Sequence, residues 1–272
     1  MPKLSGSTAT LHYEQFGAGP DVVWVSGGGD TGSRWHKYQI PFFEAGFRNT
    51  TFDNRGIGAT ECHAPPPWSM ADFATDTAEL IEAACAPPVA AVGLSMGALI
   101  VQQLALDRPD LLRCGIVMGT WASSTGWAWD YQKAEIDFRH AGGSLEGMMG
   151  VVHYAAMLYP ARVLGDPEIW PKIREDLLSW MNSGENEESL IPQWDACLTF
   201  DQTERLPGCR VPLHVLAFTE DIEAPPQDAK LVADLVPTAE YHLFEGMGHG
   251  SIYGHAHDVL NPFIKGLVER YL

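Results

Sequence analysis

The five residues 93–97, Gly-Leu-Ser-Met-Gly, constrain this chain more than any other feature. The apolar run 88–92 before them is rich in small and β-branched residues, which indicates a buried strand. The stretch 98–107 after them ends before Pro109 and is typical of a helix. A serine on the turn between such a strand and helix has an exposed hydroxyl, and its flanking glycines avoid clashes. The pattern therefore predicts Ser95 as a nucleophile, with an ordinary glycine-rich loop as the alternative.

An acid that could orient a catalytic base follows a second apolar run. Residues 211–218 predict a strand, and Asp221 comes soon after it. Acids beyond the carboxyl end of a sheet strand lie on the face where α/β proteins build their sites. Glu220 and Glu223 compete for this role, and a helix N-cap is the alternative use of such an acid. The spacing favours Asp221.

The candidate base is His249, which lies between two glycines. It follows the predicted strand 240–244 and precedes an amphipathic final helix that contains Pro262. The chain has ten histidines, so a single histidine means little without its context. The order Ser, Asp, His along the chain selects this one.

These motifs resemble the α/β-hydrolase superfamily, and within it the group of enol-lactonases, small esterases and cofactor-free haloperoxidases. The matching residues are 93–97, 52–60, Asp221 with Pro225, and Gly248 with His249. The resemblance covers about 1–120 and 205–272 and is weak between them. It implies an α/β fold with a mostly parallel sheet flanked by helices and a helical cap inserted after the sixth strand. It also implies a Ser95, Asp221 and His249 triad.

The chain departs from the family pattern at two positions. Ser26 stands before Gly27 where relatives usually have a histidine, and Phe218 replaces the glycine that follows the acid-bearing strand. The family's Asp-x-Arg-Gly segment is present as Asp53 and Arg55, which we expect to stabilise their loop. A substrate-binding role for Arg55 is the less favoured alternative.

Backbone amides are expected to form an oxyanion hole. Acyl transfer places negative charge on the carbonyl oxygen, which two preorganised N–H groups must stabilise. We expect these from Met96, directly after Ser95, and from Gly28 in the glycine-rich loop 27–29. Such a loop can also bind phosphate, but Gly-Lys-Ser/Thr and the dinucleotide fingerprint are absent from it.

The sequence predicts two structural regions. Sheet strands are expected at 9–16, 21–26, 49–53, 88–94, 114–119, 211–218 and 240–244. A capping box at Ser69 and Asp72 opens a helix that reaches about Cys85. Between them, residues 121–208 contain no strand-like run, whereas 170–181 favours a helix. We therefore expect a core of residues 1–120 and 209–272 and a helical cap, or lid, of residues 121–208.

The predicted cap is rich in aromatic residues, which indicates an apolar substrate pocket for a bulky or aromatic ligand. Packing within the cap is the simpler explanation for any single one of them. The candidate pocket residues are Trp121, Trp127, Trp129, Met148, Tyr154 and Trp194.

Composition narrows the remaining classes of function. The net charge of −18 and the absence of a basic run argue against nucleic-acid binding. A signal peptide and an 18-residue apolar run are both lacking, so we expect a cytoplasmic protein without a membrane partner. The five cysteines are scattered and odd in number, which argues against a disulfide framework. His255 and His257 lack further spaced ligands, so no metal is expected.

The sequence thus predicts a cofactor-free serine hydrolase that acts on an ester, lactone or thioester of a bulky apolar or aromatic small molecule. The same triad could instead cleave carbon–carbon bonds, support perhydrolysis, or serve a biosynthetic cyclase or acyltransferase. A ligand-binding receptor with negligible turnover is the alternative from another class. Assembly into a homo-oligomer is a further alternative.

Overall fold

The computed structural model describes residues 2–181 and 187–272 and forms one large sheet with helices around it. The strands are β1 Lys3–Ser5, β2 Ala9–Phe16, β3 Asp21–Val25, β4 Arg48–Phe52, β5 Glu61–Cys62, β6 Val89–Leu94, β7 Leu112–Met118, β8 Leu213–Phe218 and β9 Ala239–Phe244. The helices are α1 Ile40–Phe43, α2 Met70–Ala84, α3 Met96–Asp107, α4 Gly126–His140, α5 Gly147–Leu158, α6 Ala161–Leu164, α7 Trp170–Met181, α8 Glu187–Leu198, α9 Pro226–Leu235 and α10 His257–Glu269. Short 3-10 helices lie at Gly32–Trp35, Pro109–Leu111, Leu206–Gly208 and Ser251–Tyr253.

The sheet is mostly parallel, as the resemblance implies. Its strand order is β1-β2-β4-β3-β6-β7-β8-β9, and the short β5 pairs with β2. In this order, every neighbouring pair in β4-β3-β6-β7-β8-β9 is parallel. The pairs that β2 forms with β1, β4 and β5 are antiparallel. All seven predicted strands are present, and each boundary lies within two residues of its prediction. The short strands β1 and β5 were not predicted.

The central strands are buried on both faces, which explains their continuous apolar character. Every residue of β3, β6 and β8 is buried. Helices α2, α3 and α9 pack on one face of the sheet, and α1 and α10 pack on the other. The predicted capping box is present at the start of α2, where the N–H of Ser69 donates to Oδ2 of Asp72 over 2.8 Å.

A helical segment separates β7 from β8. It contains α4 to α8, and α5 and α7 share an apolar cluster of their own. With the two-residue β5 left aside, β7 is the sixth strand, so the helices are inserted where the resemblance implies. The division into a core of 1–120 and 209–272 and a cap of 121–208 stays a prediction. Among the described residues, no helix combines the length and apolar character needed to span a membrane.

Candidate active site

Ser95 lies on a strained turn between β6 and α3. Its backbone has φ 56° and ψ −125°, and it is the only non-glycine residue with positive φ in the described part of the chain. A Cβ on Gly93 would lie 2.3 Å from the carbonyl oxygen of Gly97, and one on Gly97 would lie 2.1 Å from that of Val25. Both glycines are therefore required by close backbone approach. Strain of this kind persists only where the surrounding fold enforces it, and it clusters at functional sites.

His249 and Asp221 meet beyond the ends of two neighbouring strands. Asp221 follows β8 and His249 follows β9, and these strands are parallel and adjacent. Nδ1 of His249 lies 2.8 Å from Oδ2 of Asp221, and both residues are buried. The other carboxylate oxygen, Oδ1, accepts hydrogen bonds from the N–H groups of Glu223 and Ala224. The carboxylate is therefore held in one orientation against the imidazole.

The second imidazole nitrogen faces another carboxylate. Oε2 of Glu223 lies 3.4 Å from Nε2 of His249, within ion-pair distance but without hydrogen-bond geometry. Burial disfavours the imidazolium, but the negative charges of Asp221 and Glu223 outweigh it and raise the pKa of His249 to about 9. Burial raises the pKa of Glu223 to about 7. Sequence reasoning named Glu223 only as a competitor of Asp221 and missed this contact.

Helix α8 holds the loop that carries Gly28. The side chain of Gln193, in α8, is fully buried, and its Oε1 accepts a hydrogen bond of 2.9 Å from the N–H of Gly29. Its Nε2 donates to the carbonyl oxygen of Arg55 over 2.8 Å. Because the amide of Gly29 is occupied, the N–H groups that this loop could offer the site are those of Gly27 and Gly28, which both line the cavity described below. The donor roles of Gly28 and Met96 stay predictions.

The Asp53 and Arg55 segment is fixed by contacts outside the site. Nε of Arg55 donates to Asp76 over 2.7 Å, and both side chains of this ion pair are buried. Asp53 accepts hydrogen bonds from the N–H groups of Gly32 and Ala59. These contacts agree with the expected loop-stabilising role.

Ser95 and His249 line one cavity of about 110 Å³ beneath the helical segment. Its other lining residues are Gly27, Gly28, Asp30, Arg34, Leu94, Tyr131, Gln132, Glu135, Tyr154, Leu158, Trp180, Trp194, Glu223, Gly250 and Tyr253. Asp30 and Arg34 come from the loop after β3, and Trp180 comes from α7. Asp30 and Arg34 were not predicted, and Trp180 is an aromatic residue of the predicted cap that was not among the six named for the pocket.

Only two of the six predicted pocket residues, Tyr154 and Trp194, line this cavity. The other four do not line it, and a role for them elsewhere in substrate binding stays a prediction. Trp121 packs into the main core, whereas Trp127, Trp129 and Met148 are 60%, 38% and 49% exposed. Aromatic content does not tell which side of a helix faces the sheet, because tertiary packing decides that.

Comparison with known proteins identifies the family of this chain. A sequence model of the alpha/beta hydrolase family matches residues 22–261. The chain belongs to the α/β-hydrolase family.

Individual members of the family resemble the chain over nearly its whole length. The provisionally named non-heme bromoperoxidase BpoC of Mycobacterium tuberculosis H37Rv is 30% identical over 94% of this chain and 96% of its own. Its crystal structure matches with a TM-score of 0.90 over 96% of each chain, at 27% identity in that alignment. The provisionally named carbamate hydrolase RutD of Variovorax paradoxus is 26% identical over 92% of this chain and 90% of its own.

An enol-lactonase from Burkholderia xenovorans LB400 shares the α/β-hydrolase fold, with a TM-score of 0.80 over 98% of this chain and all of that one, at 22% identity. The resemblance inferred from the sequence motifs is confirmed.

Ser26 shows how this α/β-hydrolase supports its loop without the usual histidine. The Ser26 hydroxyl lies 3.1 Å from the carbonyl oxygen of Thr31, to which it donates, and accepts from Nε1 of Trp35 over 3.0 Å. These bonds tie both ends of the loop after β3 together. Phe218, the other departure, is fully buried against Phe244 and fills core volume at the end of β8.

Proposed function

We propose that this protein is a serine hydrolase that performs two-step acyl transfer on an ester, lactone or thioester of a small molecule. The observation that carries the proposal is the strained backbone of Ser95, in the wall of the cavity that also holds the Asp221-bound imidazole of His249. A strained serine and an oriented imidazole in the wall of one cavity supply the nucleophile and the base that this kind of catalysis uses.

In the first step, Nε2 of His249 takes the proton from Ser95 as Oγ attacks the carbonyl carbon. The amides of Gly28 and Met96 stabilise the oxyanion. The intermediate then expels the alkoxide or thiolate, which leaves with the proton from His249. Asp221 stabilises the imidazolium through Nδ1.

In the second step, a water molecule attacks the acyl group on Ser95, and its proton passes to Nε2 of His249. The acid is released as Ser95 regains that proton. The chain's own groups therefore account for every proton in the cycle.

We further propose that the helical segment 121–208 acts as a lid. Support comes from Tyr154, Trp180 and Trp194, which line the cavity from α5, α7 and α8. Gln193 also connects α8 to the loop of Gly28 and Gly29. A shift of these helices would change both the access to Ser95 and the shape of the oxyanion loop.

The cavity favours a smaller and more polar acyl group than the sequence predicts. Its volume of about 110 Å³ is below the roughly 150 Å³ of an apolar cavity that holds benzene. Its lining also includes ionisable side chains such as Asp30, Arg34 and Glu223. We therefore narrow the expected bulky apolar or aromatic substrate to one with a short acyl group.

Hydrolysis of aryl esters with acyl groups from acetyl to benzoyl tests the proposal. We expect saturable turnover with a preference for short acyl groups, and a loss of about 10³-fold or more in Ser95→Ala. Ser33→Ala, at a serine outside the cavity that holds Ser95, is the matched control and should keep full activity. Absence of turnover, together with no reaction of Ser95 with a fluorophosphonate, would contradict the proposal and favour a ligand-binding receptor. Product analysis separates hydrolysis from carbon–carbon cleavage, cyclisation and acyl transfer to another acceptor.

Perhydrolysis is a second candidate, because BpoC, at 30% identity, is named a non-heme bromoperoxidase. Hydrogen peroxide would replace water in the second step, so that acyl-Ser95 yields a peroxy acid and free Ser95. Peroxy acid formed from an ester and peroxide by the wild type, and lost in Ser95→Ala, would support this activity. Formation of the carboxylic acid alone would exclude it.

A further inference from the structure

Three carboxylates line the cavity, and two of them have an arginine partner. Nε of Arg34 lies 3.6 Å from Asp30, and Nη2 of Arg139 lies 3.1 Å from Glu135. Glu223 has no such partner: among the described residues, the only cationic group in ion-pair contact with it is His249. The carboxylates are close enough for the charges of Asp30 and Glu135 to disfavour ionisation of Glu223.

The ion pair between Glu223 and His249 conflicts with the proposed catalysis. His249 must be neutral to take the proton from Ser95, and Glu223 then loses its only cationic neighbour within the described ranges. The Glu223 side chain is 21% exposed, and it lines the cavity. An ionised carboxylate without a partner in such a place is costly, so a cation from outside the chain would be stabilised there.

A second group in the cavity also lacks a partner. The hydroxyl of Tyr253 is buried and forms no hydrogen bond within the described ranges, and the residue as a whole is 5% exposed. Burial raises the pKa of this phenol, so the hydroxyl stays protonated. A buried hydroxyl without a protein partner is available to a polar ligand that enters the cavity.

We propose that Glu223 binds a protonated primary amine of the substrate, and that the substrate is an α-amino acyl ester, thioester or lactone. This inference rests on the proposed function for its catalytic part. The position of the carboxylate supports this substrate class: Oε2 lies 3.4 Å from Nε2, the atom that takes the serine proton in the proposed mechanism. An ammonium bound to Glu223 would therefore lie close to the attacked carbonyl, as an α-amino group does.

The size of the cavity and the charge of His249 agree with this substrate class. A cavity of about 110 Å³ suits a short acyl group such as alanyl. The ammonium would also offset the charge of Glu223, which is one cause of the raised pKa of His249. Binding of the amine would then favour the neutral imidazole that catalysis requires.

A pair of nearly isosteric esters tests the inference. Alanine ethyl ester and ethyl isobutyrate differ by an ammonium in place of a methyl group, and the released ethanol can be measured by gas chromatography. In the wild type we expect kcat/KM to be about tenfold or more higher for the alanine ester, as a charged hydrogen bond allows. Glu223→Gln should abolish this preference, measured as the ratio of the two kcat/KM values at one pH, so that a change common to both esters does not enter the comparison. Glu220→Gln, in the same loop but 42% exposed, is the matched control and should keep the preference.

Binding to Ser95→Ala separates failure of the inference from failure of the proposed function. In this background we expect alaninamide to bind about tenfold or more tightly than isobutyramide by calorimetry, and Glu223→Gln to remove the difference. Equal affinity of both amides, or a preference that survives Glu223→Gln, would overturn the amine site even if Ser95 proves to be the nucleophile. A preference that depends on Glu223, in a protein without esterase activity, would keep the site and reject the hydrolase.

Discussion

Gly119 leaves the space that the imidazole of His249 occupies. A Cβ on Gly119 would lie 2.7 Å from Cε1 and 2.8 Å from Nδ1 of His249. Gly119 directly follows β7 and has φ +55°, a conformation that L side chains rarely adopt. The glycine that directly follows β7 therefore leaves room for the His249 side chain beside Asp221.

The first prediction is that Gly119→Ala displaces His249. We expect kcat to fall by about 10²-fold or more, because small misplacements of a catalytic group have effects of that size. Gly126→Ala is the control, since Gly126 also has positive φ but a Cβ added there would meet no described atom within 4 Å. Both variants should lose thermal stability, measured by calorimetry, because each places a Cβ on a backbone with positive φ, and the clash with His249 adds to the loss in Gly119→Ala. Equal kcat in the two variants would show that backbone strain alone explains the effect.

The second prediction separates the two carboxylates that face His249. Asp221→Asn should lower kcat by about 10³-fold to 10⁴-fold, because the amide cannot stabilise the imidazolium and favours the wrong tautomer. Glu223→Gln should keep most of the kcat for neutral esters at a pH above about 9, where His249 is neutral in both proteins, because Asp221 still holds Nδ1. Steady-state kinetics with one short neutral ester measures both. The reverse order of the two losses would assign the orienting role to Glu223.

The third prediction concerns pH. The carboxylates of Asp221, Glu223 and Asp30 outweigh burial and keep His249 protonated up to a pKa of about 9. Because only the neutral imidazole can act as the base, kcat/KM for a neutral ester should rise with pH toward 9 and fall as pH decreases. In Glu223→Gln this rise should move to lower pH, because one negative charge beside Nε2 is gone. An unchanged profile in Glu223→Gln would contradict the account, and Glu220→Gln controls for net charge.

The fourth prediction tests the contact between α8 and the loop of Gly28 and Gly29, which we propose as the source of one oxyanion donor. Gln193→Ala leaves the buried amide of Gly29 and the carbonyl of Arg55 without their partner, which should lower the free energy of unfolding by about 1–3 kcal/mol. We also expect kcat to fall by about tenfold or more, because Gly28 loses its support. Gln202→Ala, which removes a hydrogen bond to Gln103, is the control for stability without a kinetic effect. A Gln193→Ala variant with lower stability and unchanged kcat would show that α8 does not support the proposed oxyanion donor Gly28.

Local patterns predicted the strands and the turn of Ser95 because these features depend on neighbours in sequence. The glycines at 93 and 97 and the order of Asp221 and His249 were enough to predict a candidate site. The cavity wall could not be predicted in this way. Trp180 and Glu223 reach it through packing between distant elements, and Trp127, although equally aromatic, lies at the surface.

The role of Gly119 is indicated by the sequence, whereas the role of Gln193 is not. Gly119 stands at the end of a predicted strand, where a glycine indicates close approach by another group. Gln193 offered no pattern at all, because its role comes from two backbone groups more than one hundred residues away.

The most direct test of the central claim is to map the site of fluorophosphonate labelling by mass spectrometry. We predict one label per chain, on Ser95, with a labelling rate that falls by about 10³-fold in His249→Ala. Labelling of a different serine, or esterase activity without any label on Ser95, would contradict the account.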